Sequence, residues 1–120
     1  MILNESVWVD VECQGENTKQ TFVGRFKIKP FLTHMERADA VRLAERYSRG
    51  ILDDDAQKTF LRLLAFLKFY IVEADADWWT NDGTDLVDEV PIYELISKLR
   101  KLQGKEEEKK DDQEISEKTE

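Results

Sequence analysis

The sequence has few of the residues that build disulfides, soft metal sites and histidine-based catalysis. It contains one cysteine, Cys13, and one histidine, His34, in 120 residues. A single cysteine cannot form an internal disulfide, and these two residues are too far apart in sequence for the close ligand spacing of a zinc site. We therefore expect no metal centre, and a reducing cytoplasm fits this cysteine usage best.

Glycine and proline are also scarce, with five and two copies. None of the glycines belongs to a phosphate-binding loop or to the G-x-S-x-G motif of a nucleophile elbow. His34 has no evident partner for nucleophilic catalysis and is most simply an exposed residue in a first helical turn. Carboxylates are abundant, but no pair stands out as the acid and base of a glycosidase. The sequence thus predicts a protein that is not an enzyme and uses no cofactor.

Positive charge is in deficit. The chain has 18 lysines and arginines against 26 acidic residues, a formal net charge of -8. Binding to a nucleic-acid backbone needs a basic patch that displaces counterions. The densest basic runs, at 25–29 and 98–101, are short, so we expect no nucleic-acid partner.

A long hydrophobic run is missing as well. The most apolar window, FLRLLAFLKFYIV at 60–72, contains Arg62 and Lys68, and a membrane-spanning helix needs about 20 apolar residues. The first ten residues, MILNESVWVD, lack the basic start and apolar run of a secretory signal. We expect neither a membrane segment nor a signal peptide.

Two stretches alternate between apolar and polar residues. VWVDVEC at 7–13 and TFVGRFKIK at 21–29 both have the period of two that is typical of a half-buried strand. Turn-forming residues lie between them, and Pro30 ends the second stretch. This pattern predicts a β-hairpin over residues 7–29.

A capping box predicts the first helix. Thr33 precedes Glu36 by three positions, so that each side chain can satisfy a free backbone N–H group, and a helix over about 34–49 would follow. Gly50 suits a left-handed cap at its end. Asp39 is an alternative cap, which would start the helix a few residues later.

Two more helices are predicted, over about 54–74 and 90–103. Residues 53–55, three aspartates, suit the start of the second helix, and its nearly continuous apolar run makes it the centre of the core. A strand is disfavoured there because the run is too long. Pro91 suits the first turn of the third helix, with Asp88 or Glu89 as its cap and Gly104 as its stop. The third helix has an apolar stripe at helical spacing: Ile92, Leu95, Ile96, Leu99 and Leu102.

The last residues, KEEEKKDDQEISEKTE at 105–120, contain one large apolar side chain, Ile115. Such a segment is either a disordered tail or a solvated extension of the third helix, and its low apolar content favours the tail. The predicted fold is therefore α+β and mainly α: a single domain over residues 1–104, with an N-terminal β-hairpin, three helices and a disordered acidic tail at 105–120.

The segment EADADWWTNDGTDLVDE at 73–89 combines seven carboxylates with two tryptophans. If Gly83 is aligned with the glycine of a calcium-binding loop, Glu89 falls at the twelfth position, but Trp78 falls at the first, where a ligand is required. A calcium site is therefore disfavoured, and 81–83 is interpreted as a turn between helices.

The adjacent Trp78 and Trp79 have two interpretations. Both rings can pack in the fold or at its rim, or one of them can serve as an anchor for a partner protein. The first interpretation is the simpler, and Trp8 joins these two as a candidate partner-binding residue.

Three stretches resemble the tail assembly chaperones and related minor tail proteins of tailed bacteriophages. They are FVGRFKIKPFLT in the hairpin, MERADAVRLAERYSRG in the first helix, and LAFLKFYIVEADADWW followed by DGTDLVDEVPIYELI. The likeness covers most of residues 7–102, and its motifs are compositional.

The resemblance implies a mainly helical, non-catalytic protein of the host cytoplasm. Such a protein binds the tape-measure protein and keeps it soluble while tail-tube subunits assemble around it. A structural protein of the tail or neck, retained in the virion and forming homo-oligomers, is the alternative. A calcium-binding or enzymatic module is the third hypothesis.

Overall fold

The computed structural model describes residues 4–51 and 54–118, and for residues 105–118 it describes the backbone alone. Its elements follow the order β1 (Val7–Gln14), β2 (Thr21–Ile28), α1 (His34–Tyr47), α2 (Asp55–Tyr70), β3 (Ile71–Asp75), a short 3₁₀ helix (Asn81–Gly83) and α3 (Val90–Lys118). The expected combination of an N-terminal hairpin with three helices is confirmed, and the fold is mixed α+β.

The three strands form one antiparallel sheet in the order β1-β2-β3. In the predicted hairpin, Val7 pairs with Ile28 at one end and Gln14 with Thr21 at the other. Alternation places Val11, Phe26 and other apolar side chains on the inner face, where they are buried. The two period-two stretches therefore predicted these strands correctly.

β3 replaces the end of the predicted second helix. That helix stops at Tyr70 instead of continuing to about residue 74, so the prediction is wrong there. Ile71 and Val72 are β-branched and favour a strand. The backbone after Tyr70 pairs with β2, and the amide of Lys29 donates a hydrogen bond to the carbonyl of Tyr70 at 3.0 Å.

The capping box of α1 is confirmed. Oγ1 of Thr33 accepts a hydrogen bond from the amide of Glu36 at 3.1 Å, and Oε1 of Glu36 accepts one from the amide of Thr33 at 2.9 Å. The alternative start at Asp39 is wrong, because Asp39 lies inside the helix and pairs with Arg42. α1 ends at Tyr47 with Ser48 as its C-cap, and Gly50, the predicted cap, lies two residues further along with φ of +85°, in the left-handed region.

The second helix begins as predicted at an aspartate cap: Asp54 accepts a hydrogen bond from the amide of Gln57 at 3.0 Å. Asp53, the first of the three predicted caps, lies outside the described residues. Pro91 occupies the first turn of α3, where its missing N–H group costs nothing.

α3 does not stop at Gly104, and this prediction is wrong. The helix continues to Lys118, which corresponds to the alternative of an extension of the third helix and not to the favoured disordered tail. One glycine inside a helix costs only about 1 kcal/mol relative to alanine, and the lysines and glutamates that follow are good helix formers. The tail residues 119–120 lie outside the described part of the chain.

The core lies between the inner face of the sheet and the helices α2 and α3. α1 packs on α2, and α3 packs on β1. The side chain of Gln103, on α3, also donates a hydrogen bond to the carbonyl of Pro30 at 2.9 Å. The buried core residues are Val11, Phe26, Ile28, Leu64, Leu67, Ile92, Leu95, Ile96 and Leu99. Among the helices that the structure describes, none has both the length and the apolar character needed to cross a membrane.

Candidate functional site

The tryptophan pair follows β3 and packs against the sheet. The Trp78 ring contacts Phe22 edge-on, with ring centroids 5.2 Å apart, and Trp79 meets Phe26 edge-on at 5.4 Å. The Trp78 indole N–H also donates a hydrogen bond to the carbonyl of Val23 at 3.0 Å. Both rings are half-buried in the fold, as the simpler interpretation predicted. Their role as partner-binding anchors stays a prediction.

The turn at Asn81–Gly83 fits under the second of these rings. Asn81, Asp82 and Gly83 have successive positive φ values of 49°, 56° and 84°. A Cβ atom at position 83 would lie 2.7 Å from the Trp79 ring, so glycine is required there on two grounds. The interpretation of this segment as a turn is confirmed, but the turn connects β3 with α3 and does not lie between two helices.

Trp8 lies on the outer face of the sheet, away from the other two tryptophans. Its side chain is 41% exposed, and the guanidinium of Arg25 lies 5.2 Å from the ring centroid. Stacking of this kind holds an aromatic ring in place without burying it. Of the three tryptophans, Trp8 is therefore the one most accessible to another molecule.

The carboxylates of the 73–89 segment do not converge on one site but form separate contacts in different parts of the segment. Asp82 pairs with Lys68 at 3.5 Å, and Asp85 accepts a hydrogen bond from the side chain of Thr80 at 3.2 Å. Asp75 lies at the end of β3 and is exposed. No three His, Cys, Asp or Glu side chains come together as metal ligands within the described residues.

Asp88 is the one charged residue found buried among the described side chains, at 2% exposure. Of the two predicted caps, Glu89 directly precedes α3, and its carbonyl accepts the first hydrogen bonds of the helix. The Asp88 carboxylate instead accepts hydrogen bonds from the amides of Asn17 at 2.7 Å and Thr18 at 3.0 Å, and from the Thr18 hydroxyl. The hydrogen bond from the Thr18 hydroxyl, together with those from backbone amides, holds the pKa of Asp88 below its usual value despite burial. Asp88 therefore connects the hairpin loop to the start of α3 through these hydrogen bonds, and its role is to stabilise the fold.

No family model, curated protein or solved structure matches this chain.

A groove with a largely apolar lining lies between α2 and α3. Two adjoining cavities of about 530 and 240 Å³ form it, and both are lined by Leu63, Ile96 and Arg100. We call this surface the α2–α3 groove. Its other lining residues are Thr59, Arg62, Phe66, Leu67, Tyr70, Tyr93, Ser97, Leu99, Lys101 and Gln103.

Sequence reasoning did not find this groove. The apolar run at 60–72 was predicted to be the centre of the core, yet Leu63 and Phe66 stay half-exposed because α1 and the sheet cover other faces of α2. The signal was present in the sequence: α2 is apolar nearly all round, and a helix of that kind needs more covering surface than a small domain supplies.

Proposed function

We propose that this chain is a non-catalytic tail assembly chaperone of a tailed bacteriophage, which binds the tape-measure protein in the host cytoplasm during tail morphogenesis. The observation that carries the proposal is the α2–α3 groove, whose shape and apolar lining suit the helix-in-groove mode of peptide recognition. The tape-measure protein offers long helical segments to such a groove. Tail-tube protein is a second candidate partner.

The charge of the chain fits this role. A net charge of -8 keeps a small protein dispersed by self-repulsion while it holds an apolar segment of another chain. The 73–89 segment is compatible with a non-catalytic role, because Asp82 and Asp88 form contacts within the fold: Asp82 pairs with Lys68, and Asp88 accepts a hydrogen bond from the amide of Asn17. Trp8, Trp78 and Trp79 stay candidate contact residues in addition to the groove.

Co-expression tests the proposal. The tape-measure protein of the same genome should be largely insoluble alone and become soluble in the presence of this chain, and the two should co-purify. As a control, an unrelated acidic protein of similar size should give no rescue. Unchanged solubility together with no co-purification would contradict the proposal.

A structural protein of the tail or neck is the alternative function. It is favoured by one observation: β1 and β3 are both edge strands of the three-stranded sheet, so each offers unpaired backbone groups to a neighbouring copy or another tail protein. Mass spectrometry of purified virions separates the two functions. An assembly chaperone should be missing from the particle, whereas a structural protein should be present in many copies.

A further inference from the structure

The α2–α3 groove has an apolar floor. Leu63, Leu67, Ile96 and Leu99 line it, with Leu63 half-buried and the other three buried, and Phe66 and Tyr93 add aromatic rings to the lining. Tyr93 is 49% exposed, and its ring also contacts Phe60 with centroids 5.9 Å apart. Aromatic rings at the margin of an apolar groove are typical anchors of protein interfaces.

The length of the groove sets the size of its occupant. Along α3 the groove extends from Tyr93 to Gln103, which corresponds to about 15 Å at the helical rise of 1.5 Å per residue. This length matches about three turns of a partner helix, enough for apolar residues at positions i, i+3, i+4 and i+7.

The charge of the groove is opposite to that of the whole chain. Among the residues whose side chains the structure describes, its lining includes Arg62, Arg100 and Lys101 and no aspartate or glutamate, although acidic residues outnumber basic ones by 26 to 18 in the whole sequence. Arg62 is held at the margin, because its guanidinium lies 5.0 Å from the centroid of the Phe66 ring. Beyond Tyr93 the surface changes sign, since the next cavity is lined by Asp54 and Glu89.

From these observations we infer that the α2–α3 groove binds an amphipathic helix that has an apolar stripe flanked by acidic residues. The stripe fills the apolar floor, and the acidic flank faces Arg62, Arg100 and Lys101. This inference rests on the proposed function only for the partner's identity, which would be a segment of the tape-measure protein with this pattern.

The chain's own acidic segment is a poor occupant. Residues 105–118 would satisfy the charges if they came from a second copy, but they include one large apolar residue, Ile115. A single apolar side chain cannot fill a floor three helical turns long. A partner with a complete apolar stripe is therefore the better fit.

A designed peptide tests the inference without a natural partner. The probe is a fluorescein-labelled helical peptide of about 18 residues, with leucines at i, i+3, i+4 and i+7 and glutamates on both flanks, and its binding to the full chain is followed by fluorescence anisotropy. Two control peptides accompany it: one of the same composition in scrambled order, and one with lysine in place of each glutamate. The designed peptide should bind, and both controls should bind at least about tenfold more weakly.

Two double variants of the chain have the same net charge and locate the site. Arg100→Glu with Lys101→Glu reverses the groove's charge, whereas Arg46→Glu with Arg49→Glu reverses two exposed charges beside a cavity on the α1 side of α2. The groove variant should weaken binding by about tenfold or more, and the α1 variant should change it by less than about twofold. Circular dichroism of both variants checks that the fold is retained.

Several results would overturn the inference: no binding of the designed peptide, equal binding of the scrambled peptide, or equal loss in the two variants. Competition by a peptide of residues 105–120 as strong as that of the designed peptide would assign the groove to a second copy instead. Co-purification of tape-measure protein with the groove variant as well as with the wild type would show that the groove is not the binding site, and it would still support the proposed function. Binding of the designed peptide without any capture of tape-measure protein would support the groove as a helix-binding site and contradict the proposed function.

Discussion

Asp88 lies directly against Gly15, so that a Cβ atom added at position 15 would be 2.3 Å from Oδ2 of Asp88. The carboxylate occupies the space of the missing side chain and from there reaches the amides of Asn17 and Thr18. The hairpin loop and the start of α3 therefore fit together only while position 15 stays without a side chain.

Gly15→Ala should destabilise the protein by about 1–3 kcal/mol, because the added methyl group pushes the buried carboxylate away from its hydrogen-bond donors. Urea denaturation followed by circular dichroism measures the change. The matched control is Gly104→Ala, where the new methyl group has no neighbour within 4 Å among the described side chains and the backbone of other elements. That substitution lies inside α3 and should stabilise the helix by about 0.5–1 kcal/mol. Equal effects of the two substitutions would contradict the contact between Gly15 and Asp88.

The stability of the protein should depend on the ionisation of Asp88. Its pKa is lowered in the folded chain, chiefly by the hydrogen bond from Thr18, while an unfolded aspartate has a pKa of about 3.9. A lowered folded pKa stabilises the fold at pH values above about 4, and this contribution is lost as the pH falls through the folded pKa.

The Asp88→Asn variant isolates this contribution. The difference in free energy of unfolding between wild type and variant should be constant from about pH 5 to 8 and should shrink below about pH 4. Asp10→Asn serves as the control, because Asp10 forms only an exposed ion pair with Arg25, worth at most about 1 kcal/mol. A difference that does not change with pH would show that the Asp88 carboxylate is not held as described.

Substitution of Trp79 should lower the stability of the protein much more than substitution of Trp8. Trp79→Ala removes a ring that packs on Phe26 and over Gly83 and should cost about 3 kcal/mol of stability. Trp8→Ala removes a partly exposed ring that stacks with Arg25 and should cost about 0.5–1 kcal/mol. Thermal denaturation compares the two variants. A larger loss for Trp8→Ala would reverse this assignment.

Cys13 should react slowly with alkylating reagents. The Cys13 side chain is half-buried, and burial, followed by the nearby Glu94 and Asp88 carboxylates, raises the pKa of its thiol. A smaller thiolate fraction at a given pH lowers the rate of alkylation. Reaction with iodoacetamide at several pH values should give a profile displaced to higher pH than that of the same chain in urea. Coincident profiles would be inconsistent with the described surroundings of Cys13.

Local signals in the sequence predicted local structure well. The alternation at 7–13 and the capping box of Thr33 and Glu36 depend on neighbouring residues, and both features are confirmed. β3 was missed because no glycine or proline marks the boundary at Tyr70, and its pairing partner is β2, far back in the chain. Tertiary pairing decided the conformation of this segment.

Other features depended on residues that are distant in sequence. Asp88 looked like a helix cap because its actual partners, Asn17 and Thr18, are about 70 positions away. The close approach of Gly24 to Ala76, where a Cβ atom would lie 2.5 Å from the Ala76 methyl group, was equally invisible. The α2–α3 groove depends on which faces stay uncovered, and no local pattern in the sequence specifies that.

α3 holds the hairpin at two places, through Asp88 at the loop and through Gln103 at Pro30. Both contacts join residues more than 60 positions apart, and at a synthesis rate of about 5–20 residues per second the ribosome needs roughly 4–14 s to make 70 residues. During that interval the nascent hairpin has no α3 to cover its inner face, and a two-stranded hairpin alone is only marginally stable. Co-translational folding of the N-terminal third is therefore incomplete until translation has passed residue 103.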